Sequence, residues 1–109
     1  MEDRVEISLL MDIYSPLLTE KQKNIMELYY NDDLSLAEIA ELNNTSRQAI
    51  HDLIKRCYNQ ILSYEDKLNL LKKSLEKESV IEALLNDMKK KYSIEEKDLE
   101  EYKDILFNL

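Results

Sequence analysis

Arg47 and Gln48 stand side by side in the stretch "SRQAIHDLIKR", residues 46–56, and both belong to the residue types that read bases. An Arg guanidinium pairs through two hydrogen bonds with guanine, and a Gln amide does the same with adenine. Lys55 and Arg56 follow two turns on, where their charges suit the phosphates flanking such a contact. If this stretch is a helix capped by Ser46, then Arg47, Gln48, His51, Asp52 and Lys55 form its outward face. Ala49, Ile50, Leu53, Ile54 and Cys57 are then expected to turn inward. His51 reads as an exposed side chain or a further nucleic-acid contact. Asp52 faces the same way, and its charge opposes phosphate.

Such a helix needs a partner to aim it. The preceding "SLAEIAELNNT" supplies a short helix and a turn, which together with the capped helix make a helix-turn-helix. Ala40 is the small residue where the two helices touch, and Ile39, Ile50 and Leu53 are the wedges that set their angle. The chain has no glycine, so Asn43 or Asn44 is expected to take the left-handed turn conformation.

Other chemistries find little support. Without glycine there is no phosphate-cradling loop and no dinucleotide fingerprint. One cysteine and one histidine do not make a zinc site, and no nucleophile, base and acid are spaced as a catalytic set. The chain is read as a non-enzyme that needs no metal or cofactor. Cys57 is expected to be a small buried hydrophobe. No apolar run reaches the roughly 18 residues of a membrane span. The start, "MEDRVEISLL", lacks a leader pattern, and a single cysteine suits a reducing compartment, so the expected location is cytoplasmic.

The elements that position the reading face are all helical in prospect, giving an all-α fold. The first helix is expected over roughly residues 3–14, burying Val5, Leu9, Leu10 and Ile13, with Pro16 ending it. A second, from Glu20 to about Asn31, presents Ile25, Leu28 and Tyr29, and a third spans Leu36 to Leu42. Capping-box pairs occur at Thr19/Gln22, Ser35/Glu38, Ser79/Glu82 and Ser93/Glu96. From Arg47 onward, Ile50, Ile54, Cys57, Ile61, Tyr64, Leu68, Leu71 and Leu75 alternate spacings of four and three, an unbroken heptad seam. This predicts one long helix over residues 47 to about 76, although Ser63 with Asp66 is a possible restart. Ile61, Tyr64, Leu68, Leu71 and Leu75 are expected to be core or the seam of a homodimer. Ile81, Leu84, Leu85, Met88 and Tyr92 mark a fifth helix, and Leu99, Tyr102, Leu106 and Leu109 a sixth. The organisation expected is a helix-turn-helix domain over 1–64 and a helical extension over 65–109, together forming one compact unit.

Charge sorts along the chain. The formal net charge is −8 over 109 residues, with −5 in residues 1–34, zero in 35–64 and −3 in 65–109. The candidate reading segment is thus the least acidic part. Tyr29 and Tyr30 are candidates for stacking on unpaired RNA bases, with at least one expected in the core. The run "MKKKY", residues 88–92, reads as a helix end whose lysines complement the helix dipole, or as a secondary RNA contact.

The stretch "LTEKQKNIMELYYNDDLSLAEIAELNNTSRQAIHDLIKRCYNQILSYEDKL", residues 18–68, resembles region 4 of bacterial sigma factors. With the preceding "LLMDIYSP" and the acidic helical tail, the whole chain resembles the YlxM-type family of small bacterial helix-turn-helix proteins. The resemblance implies a regulatory or accessory role in the signal recognition particle pathway, with DNA or the particle's RNA as ligand and the particle's protein as a further partner. It places Ser46, Arg47, Gln48, His51, Lys55 and Arg56 on the recognition helix. The alternative class is a protein-interaction module that docks a basic partner through its acidic C-terminal helices, since a net charge of −8 disfavours phosphate polymers.

Overall fold

The computed structural model describes residues 4–109, and every regular element among them is a helix. The order is α1 (Arg4–Tyr14), a 3-10 turn (Ser15–Leu17), α2 (Glu20–Tyr30), α3 (Leu36–Leu42), α4 (Arg47–Leu68), α5 (Leu70–Lys91) and α6 (Glu96–Phe107). The expected residue 3 of the first helix lies outside the described residues. No described helix is long and apolar enough to cross a membrane.

Local chemistry accounts for three of the helix starts. Thr19 and Ser35 form reciprocal capping boxes with Gln22 and Glu38, each hydroxyl accepting from the third residue's N–H and each partner accepting the cap's own N–H. The bond from the Ser35 backbone N–H holds the Glu38 carboxyl below the usual carboxylate range. Ser46 caps α4 alone, its Oγ accepting the Ala49 N–H at 3.0 Å. The other two boxes do not form. Ser79 lies inside α5, where no Gly or Pro breaks the helix before it. At α6 the N-cap is Glu95 rather than Ser93, with no side-chain cap bond, because the helix begins two residues later than the Ser93 pattern requires.

Contacts divide the chain into two compact units, one reaching to Leu71 and the other covering Lys72–Leu109. In the first unit α1, α2 and α3 all pack against α4. The face that α1 buries is Ile7, Leu10, Met11 and Tyr14, a complete i, i+3, i+4, i+7 stripe. The expectation for this helix is therefore corrected: Leu10 is buried, but Val5 and Leu9 are exposed and Ile13 is half-buried. The observed phase places Tyr14 inside, where its hydroxyl has a partner. On α2 the buried residues are Ile25, Met26 and Tyr30, with Leu28 and Tyr29 half-buried.

The long helix expected over 47–76 is broken at Asn69, whose φ of 54° is left-handed. The break is held from a distance. The Tyr14 hydroxyl donates to Glu65 Oε1 at 2.6 Å and accepts the Leu70 N–H at 3.3 Å, while the same Glu65 oxygen accepts the Leu71 N–H at 3.0 Å. Two orphan amides at the start of α5 are thereby satisfied. Burial, reinforced by the Glu65 hydrogen bond, raises the Tyr14 phenol above its ordinary value. Ser63 lies inside α4 and caps nothing. The heptad stripe accordingly stops being straight. Ile50, Ile54, Cys57 and Ile61 are core, Tyr64 and Leu71 are half-buried against it, and Leu68 and Leu75 are exposed. Ile61 is fully covered within the subunit, so it is not available to a partner chain.

Asn tolerates the left-handed region where Ala does not. Asn69→Ala is expected to lower stability by about 1 kcal/mol, seen as a lower urea midpoint with an unchanged slope. Asn69→Gly should hold the midpoint.

The second unit is smaller. Ile81, Leu85 and Leu99 are buried, with Met88, Ile94, Leu106 and Phe107 packed around them. Of the residues whose spacing marks the fifth and sixth helices, Leu84, Tyr92, Tyr102 and Leu109 are exposed. Lys103 pairs with Glu82 at 3.4 Å, and Lys77 Nζ donates to the Leu109 backbone oxygen at 2.8 Å.

Candidate nucleic-acid interface

α3 and α4 form the helix-turn-helix. Ile39 and Ile50 are fully covered where the helices meet, Ala40 is 5% exposed beside them, and Leu53 packs on the same cluster. The turn uses Asn44 in the left-handed conformation, with a φ of 51°. Asn43 closes α3 instead, its Nδ2 donating to the Ile39 carbonyl at 2.8 Å, and the Thr45 N–H bonds the Ala40 carbonyl at 3.0 Å. Two asparagines thus divide the work that one glycine often does at a helix C-terminus.

This turn delivers α4 with its aliphatic ridge against the core and its first turn in solvent. Ser46, Arg47, Gln48, Asp52, Lys55 and Arg56 are exposed, and His51 is half-buried at the margin. Ala49, expected inside, is exposed as well, because it falls on the solvent side of the Ile50–Ile54–Cys57 ridge. Cys57 is fully covered; burial pushes its thiol up, and the nearby Arg56 charge only partly offsets this.

The face is not uniformly free. Asp52 Oδ1 accepts from Gln48 Nε2 at 3.0 Å, and His51 Nδ1 lies 3.5 Å from the same oxygen. The i, i+4 spacing of Gln48 and Asp52 was a readable signal for this pairing. Among the described residues no ion pair engages Arg47, Lys55 or Arg56. The acid in their midst instead occupies the amide. Asp52→Asn should therefore raise affinity for nucleic acid several-fold at low salt, by removing one like charge facing phosphate. Fluorescence anisotropy across a salt series checks this, since the gain should shrink as salt screens the charge.

Arg4 was not singled out as a site residue from sequence, yet it organises the far end of α2. Its guanidinium lies 5.3 Å from the Tyr29 ring centre and 5.8 Å from that of Tyr30, donates to the Tyr29 carbonyl at 3.2 Å and pairs with Asp33 at 2.9 Å. Tyr29 and Tyr30 meet edge to face, and Tyr30 is buried. These rings form an anchor between α1 and α2. In the "MKKKY" run, Lys89 pairs with Glu96 and Lys91 with Asp87, so two of its three lysines are neutralised.

Comparison with known proteins accords with this architecture. A family model described as "Putative helix-turn-helix protein, YlxM / p13 like" matches residues 1–105. The chain is similar to a UPF0122 protein of Clostridium botulinum (strain Alaska E43 / Type E3), 68% identical over 109 residues and covering all of both chains. A UPF0122 protein of Clostridium perfringens (strain SM101 / Type A) is 56% identical over 104 residues, 95% of this chain and 92% of the relative. One from Clostridium kluyveri (strain NBRC 12016) is 62% identical over 78 residues, 70% of each chain. On the strength of a match over nearly its full length and of relatives of the same extent, the chain belongs to the UPF0122 family of YlxM / p13-like helix-turn-helix proteins.

Proposed function

We propose that this protein binds nucleic acid through the N-terminal half of α4 and acts as a regulatory or accessory factor rather than as an enzyme. The observation that carries the reading is the exposure of Arg47, Lys55 and Arg56 without acidic partners among the described residues, in a chain otherwise rich in acids. Arg47 and Gln48 address base edges from the first turn, and Gln48 keeps its carbonyl and one N–H after bonding Asp52. Lys55, Arg56 and the Ser46 hydroxyl address phosphates, while His51 lies at the margin of the contact.

Duplex DNA is the ligand whose major groove admits a helix. An RNA helix does not admit one so readily, so an RNA ligand would present an irregular loop. The family resemblance makes the RNA of the signal recognition particle the RNA to test. A gel-shift titration of duplex DNA and of that RNA over a salt series decides between them. With few free cations, the log–log slope should be shallow, near about −3 per chain. Absence of binding to both at low salt overturns the reading.

A second reading has its own observation. Glu95, Glu100, Glu101 and Asp104 of the second unit are exposed and take part in no ion pair among the described residues. Such a surface suits a basic protein, and the particle's protein component is the candidate that the resemblance implies. Arg47→Ala with Gln48→Ala separates the two: loss of nucleic-acid binding and of pathway activity together supports the reader, whereas pathway activity that survives supports docking.

A further inference from the structure

The second unit carries more apolar side chains outside than inside. Within its 38 residues, Lys72–Leu109, only Ile81, Leu85 and Leu99 are buried hydrophobics, against fourteen in the first unit. A unit below about 40 residues usually needs a disulfide, a metal or association to hold its shape. The chain's single cysteine, Cys57, lies in the first unit, and the described residues contain no cluster of three metal-ligating side chains. Association can supply buried area where a disulfide and a metal do not.

The unit also has a face that suits association. Val80, Leu84 and Met88 recur every four residues along α5, beside the inward stripe of Ile81 and Leu85. Tyr102 and Ile105, three residues apart, share one side of α6. Together Leu84, Met88, Tyr102 and Ile105 flank an open groove of about 280 Å³ floored by Leu85 and Leu106, with no charged residue in its lining. Leu84 is 52% exposed and Ile105 57%. Apolar residues contiguous on one side of a hairpin differ from singly scattered ones, which need no explanation.

We propose that this face is the interface of a homodimer, in which two α5–α6 hairpins pair about a twofold axis as a four-helix bundle. The chemistry favours a second copy over a charged partner. A twofold contact sets the groove against its own image, and since no charge lines it, no ion is buried unpaired. The unit's eight bases and ten acids leave it near neutral, so self-repulsion is weak. Tyr102 brings an apolar ring whose hydroxyl can stay at the wet rim. The face is only two helices wide and, over α6, about 18 Å long, so the dimer should be weak, forming over the micromolar range. This interface is distinct from the heptad seam of α4, and it does not depend on nucleic-acid binding.

Sedimentation equilibrium on the full chain, from micromolar to millimolar concentration, tests the proposal. The wild-type chain should show a monomer–dimer equilibrium, Leu84→Glu and Ile105→Glu should be monomeric throughout, and Leu68→Glu should dimerise like wild type. Should the Glu variants lose helical signal, a Tyr102→Cys chain labelled with pyrene decides instead. Its excimer emission should rise with concentration and fall on adding unlabelled wild-type chain. A wild-type chain monomeric at every concentration overturns the proposal. So does a dimer that survives Leu84→Glu, an excimer that never appears, or a chain that binds a different protein through this face without self-association.

Discussion

Arg47→Ala should weaken binding to the preferred nucleic acid by roughly ten- to a hundredfold, the equivalent of about 1–3 kcal/mol for one two-pronged base contact. The side chain is exposed at the first position of α4, clear of the core, so the loss should come without a change in thermal stability. Arg47→Lys keeps the charge and loses the fork. It should retain the salt dependence of wild type while losing discrimination among sequences. Lys55→Ala should do the reverse, lowering affinity evenly across sequences and reducing the salt slope by about one. Anisotropy titrations of these three variants on a small panel of duplexes and RNA loops separate base reading from phosphate attraction. Equal loss on all ligands for Arg47→Ala would remove the base-reading role.

Ile54→Ala should cost about 2–5 kcal/mol, the range for removing a large aliphatic side chain from a packed interior. Ile54 is fully covered at the centre of α4, the helix against which α1, α2 and α3 all pack. Against a total of about 5–15 kcal/mol for a small protein, this is a large fraction. Urea unfolding followed by circular dichroism should show a much earlier midpoint. Leu62→Ala on the same helix should shift it little, because Leu62 is 37% exposed. Nucleic-acid binding by the Ile54→Ala chain should fall in proportion to the unfolded fraction and return when the temperature is lowered within the folded range.

What was legible in the residues was what adjacent residues decide among themselves. Thr19 with Gln22 and Ser35 with Glu38 start helices because both partners of each box lie within one turn. Asn44 turns left-handed because in a chain without glycine it is among the residues best suited to do so. Ser46, Arg47 and Gln48 came to the exposed start of α4 because a serine cap followed by an aliphatic ridge specifies both the phase and the end of a helix. The same local patterns at Ser79 and Ser93 did not act, since Ser79 lies inside α5 and α6 begins two residues beyond the start that Ser93 would set.

Longer-range partners decided the rest. The heptad spacing from Ile50 to Leu75 specifies a continuous helix, and nothing within a turn of Asn69 reveals that Tyr14 will stop it. The hydroxyl of Tyr14 reaches Glu65 and Leu70 only after α1 has packed on α4, and that packing also selects Ile7, Leu10, Met11 and Tyr14 over Val5 and Leu9. Arg4 likewise gains its place over Tyr29 and Tyr30 from the meeting of α1 with α2. Periodicity and caps were enough to determine an all-helical chain with a helix-turn-helix and its exposed cations, because those interactions span at most a few residues. Where the long helix ends, and which aliphatic stripes are covered, were settled by tertiary contact, because an unsatisfied amide or an apolar ridge takes whichever partner the packed chain brings within reach.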